Sequence, residues 1–205
     1  MDKKEQIINA AIDLFAQKGF EGTSIRDLAA KAEVNVAMVN YYFGSKEKLF
    51  EALVEMKAGT SRVMLEGILH DAKLSSWEKM ERIIDSYITR LFTNRKFHRV
   101  IHQELIMGQR ETLQQIITDI LYPNTLIVKQ IIEEGIKKKE FKKIDVELTI
   151  SSLVGTINQV LLTKSLCLKM LGKDAGYVPY EDPAFIKRMA THLRQLMHNQ
   201  LMAQV

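Results

Sequence analysis

Thr23-Ser24-Ile25-Arg26-Asp27-Leu28-Ala29-Ala30-Lys31-Ala32, then Glu33-Val34-Asn35, then Val36-Ala37-Met38-Val39-Asn40-Tyr41-Tyr42-Phe43, then Gly44-Ser45-Lys46, decide how this chain folds. Ile25, Leu28, Ala29 and Ala32 recur at i, i+3, i+4 and i+7, one face of a helix. Ser24, with Asp27 three residues on, makes a capping-box start. Only Glu33-Val34-Asn35 separate this helix from the next. Asn35 suits an N-cap, and Val39 and Phe43 supply the inner face of a helix of about two turns. Gly44-Ser45 ends it, and Ser45 caps a longer helix carrying Leu49, Phe50, Leu53 and Val54. Upstream, Ile7, Ala11, Leu14 and Phe15 mark a helix from Lys3 to Lys18, with Gly19 at its C-cap. Two short helices across a tight turn, braced by a helix on each side, form a helix-turn-helix. The second short helix of such a unit can enter a DNA major groove.

The rest of the chain also reads as helix. Ser75 and Glu78 form a second capping box, opening a helix to about Phe92, and apolar periodicity marks others over 96–107 and 112–121. Pro123-Asn124 is a kink or stop, after which the pattern resumes until Gly135. Asp145 caps one long segment, 146–171, and Asp182-Pro183 starts a last helix over 183–203. With no strand pattern, the expected fold is all-α, about nine helices. It divides into a helix-turn-helix domain over 1–48 and a helical domain over 49–205. The composition agrees: 10 glycines and 3 prolines in 205 residues leave few breaks, and 46% hydrophobic with 26% charged is globular.

Several function classes drop out. The one cysteine, Cys167, cannot form an internal disulfide, which excludes a disulfide-built secreted scaffold and fits a reducing cytosol. The stretch 153–171 is interrupted by Asn158, Gln159, Lys164 and Lys169, and no signal-peptide core follows Met1. The expectation is a cytoplasmic protein with no membrane partner. The net charge of +4 does not argue for DNA, because acids and bases balance over residues 1–50. The surplus lies downstream, much of it in the lysines of 137–143, a solvated turn. No glycine-rich phosphate loop or nucleophile–base pair is present, so no catalytic residue, cofactor or enzyme activity is expected. His98 and His102 are two ligands without a third, so no metal is expected either.

The residues Thr23 to Ala29, Val34-Asn35-Val36 and Asn40 to Phe50 together resemble the tetracycline-repressor (TetR) family, in order and spacing over roughly 5–55. The resemblance implies a bacterial homodimeric transcriptional regulator, most often a repressor. Its N-terminal helices bind a pseudo-palindromic operator and its C-terminal helices a small effector. Thr23 and Ser24 would offer hydroxyls and free amides to a phosphate, joined by Arg26, and Tyr41, Tyr42 and Lys46 would reach backbone oxygens. Base readout would fall to Asn35, Val36, Ala37, Met38 and Asn40, with Asn40 on adenine and Val36 or Ala37 against a thymine methyl.

There are departures. Many relatives carry glycine where Glu33 stands, tyrosine where Asn40 stands, and more polar residues than Val36-Ala37-Met38. If the turn needs a positive φ, Glu33 costs about 1 kcal/mol. The helices over 146–171 and 183–203, with Leu193 among their apolar residues, are expected to pack as a four-helix dimer interface. The effector, small and largely apolar, is expected among the helices of 45–136, near Tyr87, His102, Gln103 and Glu104. The alternative is a regulator acting constitutively or through a protein partner, without an effector.

Overall fold

The computed structural model describes residues 2–108 and 110–203, and shows ten α-helices among them with no strand. They are α1 (Lys3–Lys18), α2 (Ile25–Lys31), α3 (Val36–Phe43), α4 (Lys46–His70), α5 (Ser76–Thr93), α6 (Arg95–Met107), α7 (Glu111–Lys137), α8 (Val146–Leu162), α9 (Lys164–Leu171) and α10 (Pro183–Leu201). The chain divides into two compact units. One joins Met1–Arg62 to Lys96–Pro123, and the other joins Val63–Arg95 to Asn124–Val205. The helix-turn-helix therefore shares its unit with α6 and the first half of α7, a grouping that cuts across the expected boundary after residue 48.

The core of the first unit explains that grouping. Ile7, Phe15, Leu28, Val39, Leu49, Phe50 and Leu53 are buried together with Phe97, Val100 and Ile101 of α6 and Leu113 and Ile117 of α7. Phe15, Phe20 and Phe50 meet at ring centroid distances of 5.3, 5.9 and 5.6 Å. Fully burying each such side chain stabilises the fold by roughly 1.5–3 kcal/mol. The caps follow the sequence: Ser24 and Asp27 exchange bonds at the start of α2, and the Asn35 oxygen accepts the Met38 amide at 2.7 Å.

The turn between α2 and α3 is a Schellman motif. The Val34 amide bonds to the Ala29 carbonyl at 3.0 Å and the Glu33 amide to that of Ala30 at 3.2 Å. This puts Glu33 at φ 53, in the left-handed region where a side chain is strained. The same motif ends α7, with Lys139 at φ 61.

In the second unit, Met80, Ile84, Ile88 and Leu91 of α5 share a core with Leu153 and Ile157 of α8 and Met189, Leu193, Met197 and Leu201 of α10. Gly135 does not end α7, as its position in the sequence implied. It makes room for Phe141, whose ring would lie 2.3 Å from a Cβ there. Nor does Pro123 stop α7, which runs through it as one helix. Proline removes a single backbone bond, and buried residues on both sides, Ile117 and Ile131, hold the helix in place.

The segment read as one helix over 146–171 breaks instead at Thr163, with a 91° bend between α8 and α9. The hydroxyls of Thr149, Ser151, Ser152, Thr156 and Thr163 each donate to the carbonyl four residues back. At the break itself Thr163 caps α8, directing both its amide and its hydroxyl to the Gln159 carbonyl. The expectation for the dimer face also changes. Leu193 is fully buried in its own unit, while Arg188, Thr191, His192, Gln195 and Asn199 cover the outer side of α10. The apolar stripe of α10 is used up within the chain. No single helix among the described residues is long and apolar enough to cross a membrane.

Glu33→Gly relieves the left-handed side chain, and is expected to add about 1 kcal/mol and raise the thermal midpoint by about 2–4 °C. Calorimetry checks this. An unchanged or lowered midpoint would mean that the turn carries no strain.

Candidate nucleic-acid interface

α3 is eight residues long, and only Val39 and Phe43 of it are buried. Their burial turns Ala37 and Tyr41 to the opposite face, and Val36 and Asn40, four residues apart beside them, are exposed as well. Tyr41 is 84% exposed and Val36 39%. Tyr42 flanks this face, with its ring edge-on to Tyr41 at 5.4 Å, and Met38 is half-buried beside it. No charged residue lies on α3. The exposed face thus offers an amide, two phenols and apolar groups, with nothing to repel a phosphate backbone. An amide can pair with a base edge, and apolar groups can meet a thymine methyl.

The remaining expected contacts fall into different environments. Arg26 and Ser24 are exposed on α2. The Ser24 hydroxyl both donates to Asp27 at 2.7 Å and accepts its amide at 3.1 Å. Thr23 is only 1% exposed and donates its hydroxyl to the Gly19 carbonyl at 2.9 Å. It holds the turn from inside and does not present its hydroxyl at the surface. Asn35 spends its carbonyl oxygen on the Met38 amide, which leaves its NH2 for another partner. Lys46 sends its ammonium to the carbonyls of Phe20 at 2.8 Å and Thr23 at 3.0 Å, over the Phe20 ring at 4.3 Å. Its first duty is to tie the start of α4 to the turn before α2.

Two groups escaped the sequence reading. Lys4 brings its ammonium to 6.0 Å from the Phe43 ring, placing a cation beside the end of α3. Arg110, which precedes α7, pairs with Glu21 and with Glu47, the latter at 3.0 Å. Neither has a local signal. Lys4 reads as the first turn of an amphipathic helix, and Arg110 lies far along the chain from both partners.

The groups expected to fix an effector lie in both units. In the first unit Glu104 is half-buried on α6. Burial and the charge of Glu21 raise its carboxyl above the usual range, against the Phe20 amide that it accepts. His102 is half-buried and Gln103 exposed on the same helix. In the second unit burial pushes the Tyr87 phenol up to about 12, and pushes the Arg90 guanidinium down. A cavity of about 300 Å³ lies outside the expected 45–136 stretch, where α9 turns back from α8 against α10. Val160, Cys167, Met170, Leu171, Phe185 and Met189 give it an apolar lining, with Arg188 and His192 also on its wall.

Comparisons with known proteins bear on the family and the fold. Residues 7–53 match the family model "Bacterial regulatory proteins, tetR family", and 73–162 match "Tetracyclin repressor-like, C-terminal domain". The chain is 33% identical to the Bacillus subtilis HTH-type transcriptional regulator YttP over 139 residues, 67% of each chain. It is 29% identical to the fatty acid metabolism regulator protein of the same organism, over 78% of this chain and 82% of that one. Among solved structures, FadR of Bacillus subtilis in complex with stearoyl-CoA superposes with a TM-score of 0.72 at 22% identity, covering 94% of this chain and 96% of that one. A tetR-family protein from Rhodococcus RHA1 superposes at 0.76 and 20% identity over the whole of both chains. These relatives are regulators, not enzymes.

The two hydroxyl and amide bonds of Ser24 hold the Asp27 carboxyl down to about 2, from an ordinary 3.8. Because the folded value is the lower one, Asp27 supports the fold fully above pH 3.8 and loses that support as pH falls towards 2. Carbon-detected NMR titration is expected to show Asp27 titrating near 2 and moving up in Ser24→Ala. An Asp27 that ignores the substitution would show the capping box to be absent in solution.

Proposed function

This chain belongs to the tetR family of bacterial regulatory proteins, DNA-binding regulators of transcription, and from that premise we propose that it is a cytoplasmic homodimeric repressor released from a pseudo-palindromic operator by a small apolar effector. The observation that carries the DNA half is the exposed, uncharged face of α3. Asn40 pairs with a base edge, adenine being the best match, while Val36 and Ala37 meet thymine methyls. Tyr41 and Tyr42 bond phosphate oxygens, and Arg26 and Lys4 add charge at the flanks.

The dimer forms through α8 and α9. Leu148, Leu162, Leu166 and Met170 are exposed there, between 39% and 76%. Ser152 and Gly155, also exposed on α8, leave its surface low enough for a second helix to approach. Symmetric pairing sets two copies of α3 about 34 Å apart, one turn of DNA.

The effector occupies the cavity lined by α8, α9 and α10, whose 300 Å³ is at the low end for small-molecule sites. Its apolar walls suit an aliphatic chain, and Arg188 and His192 suit an acidic head. The relative named as a fatty acid metabolism regulator supports an acyl compound as that effector. An occupant that favours one arrangement of α9 beside the dimer face shifts the population away from the DNA-bound form.

Selection from a random duplex library at fixed, near-physiological salt tests the proposal. A recovered pseudo-palindrome supports it, and no enrichment by folded, dimeric protein overturns the DNA-binding half. On the recovered operator Tyr42→Phe is expected to weaken binding evenly across sequences, and Asn40→Ala to relax one position at a cost of about 1–3 kcal/mol. Equal losses on every sequence would make Asn40 a backbone contact. Leu148→Glu combined with Leu162→Glu is expected to give a folded monomer that binds operator weakly, as sedimentation and DNA titration would show. A stable dimer would place the interface elsewhere. Long-chain fatty acids that raise the melting temperature should also lower operator affinity; ligands that bind without changing it would overturn the effector half.

A further inference from the structure

We propose that Arg110, on the short link between α6 and α7, is a positioning residue of the DNA-binding helices, holding the α1–α2 turn and the start of α4 in one arrangement. Its guanidinium forms a two-toothed pair with Glu21, through Nε to Oε1 and through Nη2 to Oε2 at 3.1 Å. The third nitrogen, Nη1, reaches Glu47 of the first α4 turn at 3.0 Å. Its plane also lies 5.5 Å over Phe20. One rigid fork thus grips a residue just before α2 and another just after α3. Lys46 grips the same turn from α4, and Glu104 of α6 accepts the Phe20 amide. The turn of residues 19–23 is consequently held from α4, from α6 and from the α6–α7 link at once.

A single exposed ion pair contributes little. Arg110 differs because two carboxylates and a buried ring fix the same planar group, so its lost freedom is shared among three interactions. The position also matters. α2 follows the turn directly and packs on both α1 and α3, so a displaced turn re-aims α3. The Gln114 side-chain amide, donating to the Glu104 carbonyl at 3.4 Å and the Gly108 carbonyl at 3.2 Å, fixes the link that carries Arg110. Movement of α6 against α7 would therefore be felt at the turn before α2 through Arg110, beside the contact that Glu104 makes from α6.

The functional arm of this inference rests on the DNA-binding reading, so the test has an arm that does not. In Arg110→Gln, without DNA, amide hydrogen exchange over residues 19–24 and the first α4 turn is expected to quicken about tenfold, with the rest of the first unit unchanged. Unchanged exchange there overturns the proposal. On the operator, Arg110→Gln is expected to bind about five- to tenfold more weakly. The slope of log affinity against log salt should stay the same, because the phosphate contacts are intact and only the competent fraction falls. Arg110→Lys, able to satisfy one partner, is expected to fall between the two. Faster exchange with wild-type operator affinity also overturns the positioning role. Should Arg110→Gln fail to fold, Glu21→Gln at the exposed partner carries the same expectations. If the wild-type chain selects no operator, the exchange result alone decides.

Discussion

An isolated helix of eight residues does not persist in water, since the cost of nucleation is never recovered over so short a run. α3 is such a helix, and it has to leave most of its surface free. Its conformation therefore depends on two buried side chains, Val39 and Phe43, and on the caps at each end. Everything else in the first unit serves that constraint. The rings of Phe15, Phe20 and Phe50 make a floor that does not yield, and Lys46 and Arg110 fasten the loop above it. An exposed helix that brings little stability of its own has to borrow it from the residues packed beneath and beside it.

Much of this was legible in the sequence where the signal was local. The capping boxes at Ser24 and Ser75 and the caps at Asn35, Asp145 and Asp182 follow from side chains that bond within a few residues of themselves, and α1 and α3 each end at a glycine of positive φ. The strained turn was legible as well, because Glu33 stands where the resemblance leads one to expect glycine. What escaped was long-range. Thr23 looked like a surface hydroxyl until the packing of the turn buried it, and Lys46 looked like a free charge until the carbonyls of Phe20 and Thr23 claimed it. Apolar periodicity shows that a face is buried without showing against what. For that reason the stripe of α10 was assigned to a partner when its own unit covers it.

Sequence and structure treat two interruptions differently. Proline at 123 removes one hydrogen bond from α7, and burial on both sides of it prevails. Around Thr163 no breaker is present, yet Thr163 turns both its amide and its hydroxyl back to the Gln159 carbonyl and the chain bends through 91°. The bend is what makes the apolar cavity, because it brings Cys167 and Met170 back towards Phe185 and Met189. Without it the segment would run straight and leave a groove in place of a cavity.

The first compact unit is built from two separate lengths of chain, Met1–Arg62 and Lys96–Pro123. A fragment ending after the fourth helix would keep every residue of the reading surface but lose Phe97, Val100, Ile101, Leu113 and Ile117 from its core. It would also lose the arginine that grips the first turn. The unit that holds the helix-turn-helix is thus not a cassette. A single crossover in the gene, however neatly it falls after the reading helix, hands the new host a head without its back wall.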